Sequence, residues 1–241
     1  MQESGVNNPD GWGAVFYEKN DAYVFREPRV LSDSHLAKLL MQGGIESNLV
    51  VSHIRRATSG CAELRNTHPF TREVFGRLHS FAFNGNIPGV FELDLIMDRF
   101  SPLGETDGEY AFCWLLERIS GLVDNSDWEQ KTDILKMFGD QLAQMGPANF
   151  LYSDSLRLYA FASRRSHSDG IRSPGLYYNK RHCKQAQNAM PWTGLSIQSS
   201  ADQEQELNVI ASVPLSENDW IPFEENQLMV FEKGELIGAR V

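Results

Sequence analysis

The sequence predicts one α+β domain, with antiparallel sheets in layers and helices packed outside them. Three observations predict this. Short apolar runs bounded by turn residues open the chain and fill its C-terminal part. Two stretches with helical spacing of apolar residues lie between those sets of strands. No internal repeat, low-complexity tract or evident linker divides the 241 residues, which suffice for a substantial core.

In order, Gly13–Glu18 and Ala22–Arg26 read as a hairpin joined by Lys19-Asn20-Asp21. Ser32–Gln42 has helical pattern, with Leu36, Leu39 and Leu40 on one side and Gly43-Gly44 as the stop. Leu49–His53 and Leu78–Phe83 are strands. A helix begins near Thr106 or Asp107 and runs to about Ile119, and Leu135, Phe138, Leu142 and Met145 mark a second over 126–145. Strands follow at Phe150–Tyr152, Leu156–Ala162, Gly175–Tyr178, Leu207–Val213 and Leu228–Phe231, with a final hairpin turn at Glu232-Lys233-Gly234-Glu235. Residues 164–174 and 197–206 read as polar loops.

A formal net charge of -10 argues against a nucleic-acid or anionic-membrane partner, since both require a basic face. The runs Arg164-Arg165 and Lys180-Arg181-His182-Cys183-Lys184 are short and read as solvated loops. Cys61, Cys113 and Cys183 are widely spaced and make no ligand pattern with the six histidines, so neither a disulfide framework nor a zinc site is expected. Cys113 falls in a helical run as a small buried hydrophobe. The polar start MQESGVNNPDG has no signal-peptide character, no apolar stretch approaches a membrane span, and a reducing cytoplasm is the default location.

Polar clusters interrupt this scaffold at strand ends and helix starts: Asp10-Gly11-Trp12-Gly13, Ser52-His53-Ile54-Arg55-Arg56-Ala57-Thr58-Ser59-Gly60, Asn66-Thr67-His68-Pro69-Phe70, Phe83-Asn84-Gly85-Asn86 and Gly104-Glu105-Thr106-Asp107. Each has an ordinary structural role available. Thr106 or Asp107 is a helix N-cap with Glu109 in the first turn. Arg55 and Arg56 suit surface ion pairs. Asn84-Gly85 favours positive φ and would close a hairpin.

Together and in this order, the clusters resemble the glutaminase domain of the class II glutamine amidotransferases, which are N-terminal nucleophile hydrolases. They are most similar to the stand-alone, YafJ-like subgroup, and the resemblance covers nearly the whole chain. It implies a four-layer αββα sandwich of two antiparallel sheets between helix layers. It also implies hydrolysis of glutamine or another γ-glutamyl amide, with no metal or organic cofactor. Arg55 matches the arginine that grips the substrate α-carboxylate, for which a planar guanidinium is suited. Asp107 matches the holder of the α-ammonium. Asn84, through its side-chain amide, and Gly85, through its backbone N–H, match the oxyanion hole, where losing one donor typically costs roughly 3–4 kcal/mol. Thr58 and His68 fall at pocket-lining positions, where a loop-fixing hydrogen bond serves equally well. Phe83 stands where many relatives have histidine, and its side chain is expected to point away from the oxyanion.

The family's nucleophile is an N-terminal cysteine, whose thiolate attacks the amide carbon. Here the chain begins Met1-Gln2-Glu3-Ser4, and no cysteine precedes Cys61. The first strand and the nucleophile are therefore expected to be missing, as from a start assigned at an internal methionine. Cys61 has no evident base partner and reads as an incidental loop cysteine. Without a synthetase domain, use of released ammonia would need a separate acceptor or peptidase subunit. The alternatives are a nucleophile-less γ-glutamyl-binding or regulatory subunit and an unrelated interaction domain.

Overall fold

The computed structural model describes residues 10–57, 60–122, 127–183, 190–192, 195–197, 205–217 and 219–241. The strands are β1 Trp12–Glu18, β2 Asp21–Glu27, β3 Val50–Ile54, β4 Phe70–Val74, β5 Arg77–Gly85, β6 Ala148–Ser153, β7 Arg157–Ala162, β8 Arg165–His167, β9 Gly170–Arg172, β10 Tyr177–Cys183, β11 Met190–Trp192, β12 Leu195–Ile197, β13 Gln205–Ala211, β14 Ile221–Pro222, β15 Gln227–Glu232 and β16 Glu235–Arg240. The α-helices are α1 His35–Gly43, α2 Asp107–Ser120 and α3 Trp128–Met145.

A six-stranded antiparallel sheet, ordered β16-β15-β7-β6-β5-β4, forms the centre. Its strands alternate between two cores, because successive side chains of a strand point to opposite faces. Phe81, Phe83, Phe150, Tyr152, Tyr159, Phe161, Leu228 and Val230 face one side. There they meet Phe112, Leu115 and Leu116 of α2 and Leu135, Phe138 and Leu142 of α3. Each fully buried Leu or Phe of this kind contributes about 1.5–3 kcal/mol.

Ala82, Leu158, Ala160, Ala162, Met229 and Phe231 face the other side, against Val15, Tyr17, Val51 and Leu176. The second sheet layer consists of two three-stranded pieces, β2-β1-β3 and β13-β10-β14. The expected α+β architecture of antiparallel sheets is found, but the second sheet is in two parts among the described residues. The helix α1 is tied to β2 through its N-cap Ser34, whose hydroxyl donates to Glu27 and accepts from the Ala37 N–H.

One expectation needs correction: residues 164–174, expected as a polar loop, contain the β8–β9 hairpin, and the strand β4 is an element that the sequence pattern does not announce. β4 reaches β5 through a turn in which Phe75 and Gly76 both have positive φ (54° and 74°), and a phenylalanine there conceals the turn signal. The loop expected over 197–206 lies mostly outside the described residues. No helix among the described residues is long and apolar enough to cross a membrane.

Candidate functional site

The Asn-Gly of FNGN closes no hairpin. β5 runs on through Asn84 and Gly85, pairing Asn84 with Asn149 and Gly85 with Ala148, and the chain turns only afterwards. The Asn86 N–H donates to the Pro147 carbonyl at 2.9 Å. Antiparallel pairs alternate, so Asn84 also faces β6 through its backbone, whereas the Gly85 N–H between them turns outward. On that outer edge β4 ends at the pair Phe70–Phe81, leaving the last residues of β5 beyond its reach. Gly85 must lack a side chain, since a Cβ would lie 2.2 Å from the Pro147 carbonyl oxygen. The Asn84 side chain is exposed, while Phe83 is buried in the helix-side core, where its ring packs against Gly85.

Asp107 is bound to this turn. It is buried at the first position of α2, where its Oδ2 accepts from the Ile87 N–H at 2.8 Å and its Oδ1 from the N–H of the following residue, Gly108, at 2.9 Å. Thr106 caps the helix by accepting from the Glu109 N–H at 3.2 Å. Glu109 does more than sit in the first turn. Its Oε1 meets Arg72 at 2.7 Å and its Oε2 accepts from the Gly104 N–H at 2.7 Å, which ties the strand β4 to the segment before the helix.

Arg55 follows β3 and is buried. Its guanidinium donates to the Gly60 carbonyl at 3.1 Å and to the Cys61 carbonyl at 3.3 Å, so it braces its own loop from within. Burial lowers its pKa from the ordinary arginine value, and the carboxylate of Asp10 opposes that shift. Asp10 also accepts from the Ala57 N–H at 2.8 Å, a loop-anchoring role for DGWG that the motif alone did not reveal. Thr58 lies outside the described residues.

His68 is buried between two rings, its centroid 4.5 Å from His53 and 4.3 Å from Phe70. It touches the helix start as well: a Cβ on Gly108 would lie 2.9 Å from its Nε2 and 3.1 Å from the Phe83 Cβ. Burial holds His68 well below the usual histidine range, with the positive charges of Arg55 and Arg26 adding to the effect. Burial likewise pushes His53 down to about 4, opposed by the Phe83 backbone and reinforced by Arg55. Both imidazoles are neutral at pH 7, packed beside the end of β5.

Asn66 closes the constellation. It has no exposed surface, donates to the Cys61 carbonyl at 3.1 Å, and accepts from the Glu105 N–H at 2.8 Å. One amide therefore joins the loop that Arg55 braces to the segment that ends in Asp107. The sequence marked Asn66 only as part of a loop; a buried asparagine with distant partners leaves no local pattern.

The two described free cysteines differ. Cys61 is exposed, and its carbonyl serves Arg55 and Asn66. Cys113 is buried in α2, where burial pushes its thiol up to about 11, so it is not a thiolate at pH 7. No cluster of histidine, cysteine and carboxylate among the described residues could hold a metal ion.

Asn66 thus links the loop braced by Arg55 to the segment before Asp107, and Asp107 in turn holds the turn that follows Gly85. The family model of the class II glutamine amidotransferases matches residues 2–240. The Escherichia coli K12 protein YafJ is 38% identical over 178 residues, 72% of this chain and 69% of its own length. An uncharacterized protein of Methanocaldococcus jannaschii is 32% identical over 233 residues, 96% of this chain and 63% of its own. The chain thus spans about two thirds of the length of these curated relatives. The crystal structure of a predicted glutamine amidotransferase from Pseudomonas aeruginosa PA01 superposes with a TM-score of 0.75 at 28% identity, covering 99% of this chain and 91% of that one. A Bacillus subtilis glutamine phosphoribosylpyrophosphate amidotransferase, at 13% identity and TM-score 0.53, shares the fold over 97% of this chain and 43% of its own. The chain belongs to the class II glutamine amidotransferase family.

Proposed function

We propose that the site binds the γ-glutamyl head of glutamine, or of another γ-glutamyl amide, and positions its side-chain carbonyl for hydrolysis. One observation supports this above the others: the outward Gly85 N–H lies two residues from Ile87, whose own N–H is held by Asp107. Carbonyl recognition and ammonium recognition are thereby joined in one short segment. In this reading Arg55 pairs with the α-carboxylate and Asp107 with the α-ammonium, while His68 packs against the helix start that carries Asp107. Asn84 and Gly85 donate to the oxygen that becomes an oxyanion when the family's N-terminal thiolate adds to the amide carbon. Collapse of that adduct breaks the C–N bond, and the nitrogen takes up a proton to leave as ammonia or an amine. Water then cleaves the γ-glutamyl thioester, releasing glutamate and the thiol.

Calorimetric titration with L-glutamine tests the binding half. Arg55→Lys keeps the charge but not the fork, and Asp107→Asn keeps the shape but not the charge. Each is expected to weaken binding about 10–100-fold, the scale of a lost charge-assisted hydrogen bond. Binding that is absent in the parent chain, or equal in both variants, overturns the reading. Turnover is tested separately from binding. The N-terminal residue of the protein isolated from its natural source decides it. A chain beginning with cysteine releases ammonia from glutamine. A chain beginning at Met1 or Gln2 binds without release, as a γ-glutamyl-binding or regulatory subunit.

A further inference from the structure

We propose that Asn149 is a positioning residue for the oxyanion donors: its side-chain amide locks the peptide plane between Asn84 and Gly85 and so aims the Gly85 N–H. This inference rests on the reading of Asn84 and Gly85 as those donors. Asn149 lies in β6 directly opposite Asn84 and has no exposed surface. Its Nδ2 donates to the Asn84 carbonyl at 3.0 Å and to the Arg164 carbonyl at 2.8 Å. Its Oδ1 accepts from the Ser163 N–H at 2.8 Å. Both N–H bonds and the carbonyl of the amide are therefore in use.

A trans peptide is planar, and its C=O and N–H point in opposite directions. Holding the Asn84 carbonyl toward β6 therefore turns the following N–H, that of Gly85, toward the open outer edge. The hold matters here because β5 ends at Gly85 and β4 no longer supports the other edge. The position is flanked by the buried residues Ala148 and Phe150, where an apolar side chain would be the ordinary choice. A buried amide survives there by satisfying three backbone groups at once. The chain also closes tightly over it: a Cβ on Gly175 would lie 1.7 Å from the Asn149 Oδ1. Ser163, Arg164 and Gly175 flank the β8–β9 hairpin, so one side chain ties the base of that hairpin to the end of β5.

Two ligands separate aiming from general support. L-Glutamine carries the side-chain carbonyl; L-norvaline has the same amino-acid head and no carbonyl to receive the donors. In Asn149→Asp the Ser163 bond is kept and both donors are lost, and Asn149→Ser offers a second, smaller replacement. Glutamine affinity is expected to fall about tenfold toward that of norvaline, the scale of one hydrogen bond, while norvaline affinity stays unchanged. An equal loss for both ligands, or no loss for either, overturns the proposal. A parent chain that binds neither ligand, or binds both equally, refutes the γ-glutamyl reading itself before any variant is made. If both variants fail to fold, the parent decides. The Asn149 side-chain amide and the Gly85 backbone amide should shift together in NMR spectra on adding glutamine and not on adding norvaline. A Gly85 shift without an Asn149 shift overturns the proposal.

Discussion

Lowering the pH from about 7 to about 5 is predicted to weaken the fold through three buried histidines, and His79 allows the size to be worked out. His79 has no exposed surface, and its Nδ1 lies 2.7 Å from the Tyr152 hydroxyl. Burial pushes its pKa from 6.5 to about 4; Asp154 and the Val74 backbone oppose the shift, while Lys131 and Arg77 add to it. Between those two values the unfolded chain binds a proton that the folded chain refuses. Stability therefore rises with pH across that window and is lost as the pH falls. One such proton is worth about 1.4 kcal/mol per pH unit, so His79 alone removes roughly 3 kcal/mol by pH 4. His53, pushed to about 4, and His68, held lower still, steepen the slope. Against a total of about 5–15 kcal/mol for a typical domain, losses of this size are a substantial fraction of the stability. Asp154, desolvated by burial but held below its usual value by Lys131, loses its contribution only at lower pH and does not offset the loss. Urea unfolding at pH 7, 6 and 5 measures the slope, and His79→Gln should reduce it by about one proton. A midpoint that stays flat from pH 7 to pH 5, or a slope that His79→Gln leaves unchanged, refutes the reasoning.

Lys131 and Asp154 form a 2.6 Å ion pair in which both side chains are 2% exposed. Lys131→Met strands the carboxylate and should cost about 3–5 kcal/mol in urea unfolding, with part recovered by adding Asp154→Asn. Asn66→Ala removes the amide that joins the Cys61 carbonyl to the Glu105 N–H. It should cost about 2–4 kcal/mol and also weaken glutamine binding, whereas a surface substitution of equal cost, checked by thermal unfolding, should not. Gly85→Ala forces a Cβ against the Pro147 carbonyl, which is backbone and cannot swing aside. Its melting temperature should fall, and calorimetry should register little or no glutamine binding.

The strands that alternate, the helices with a capped start and the residue types able to carry the chemistry are all legible in the amino-acid order. These features are local: Thr106 caps α2 three residues before the N–H it receives, and Phe81, Ala82 and Phe83 take alternate faces because the strand repeats every two residues. The motifs also pointed to the family whose model matches residues 2–240. Tertiary structure alone decided what holds those residues in place. Asn66 and Asn149 each join segments distant in sequence, and a lone asparagine carries no periodic signal that announces its partners. Long-range pairing likewise decided that Asn84-Gly85 remains strand rather than turn, because β6 lies alongside to extend the ladder through Gly85. The β4–β5 turn followed the same rule: pairing of Val74 with Arg77 holds Phe75 at a positive φ that its own preference disfavours. Local preference sets what each segment can form, and burial with satisfied hydrogen bonds selects which of those forms survives.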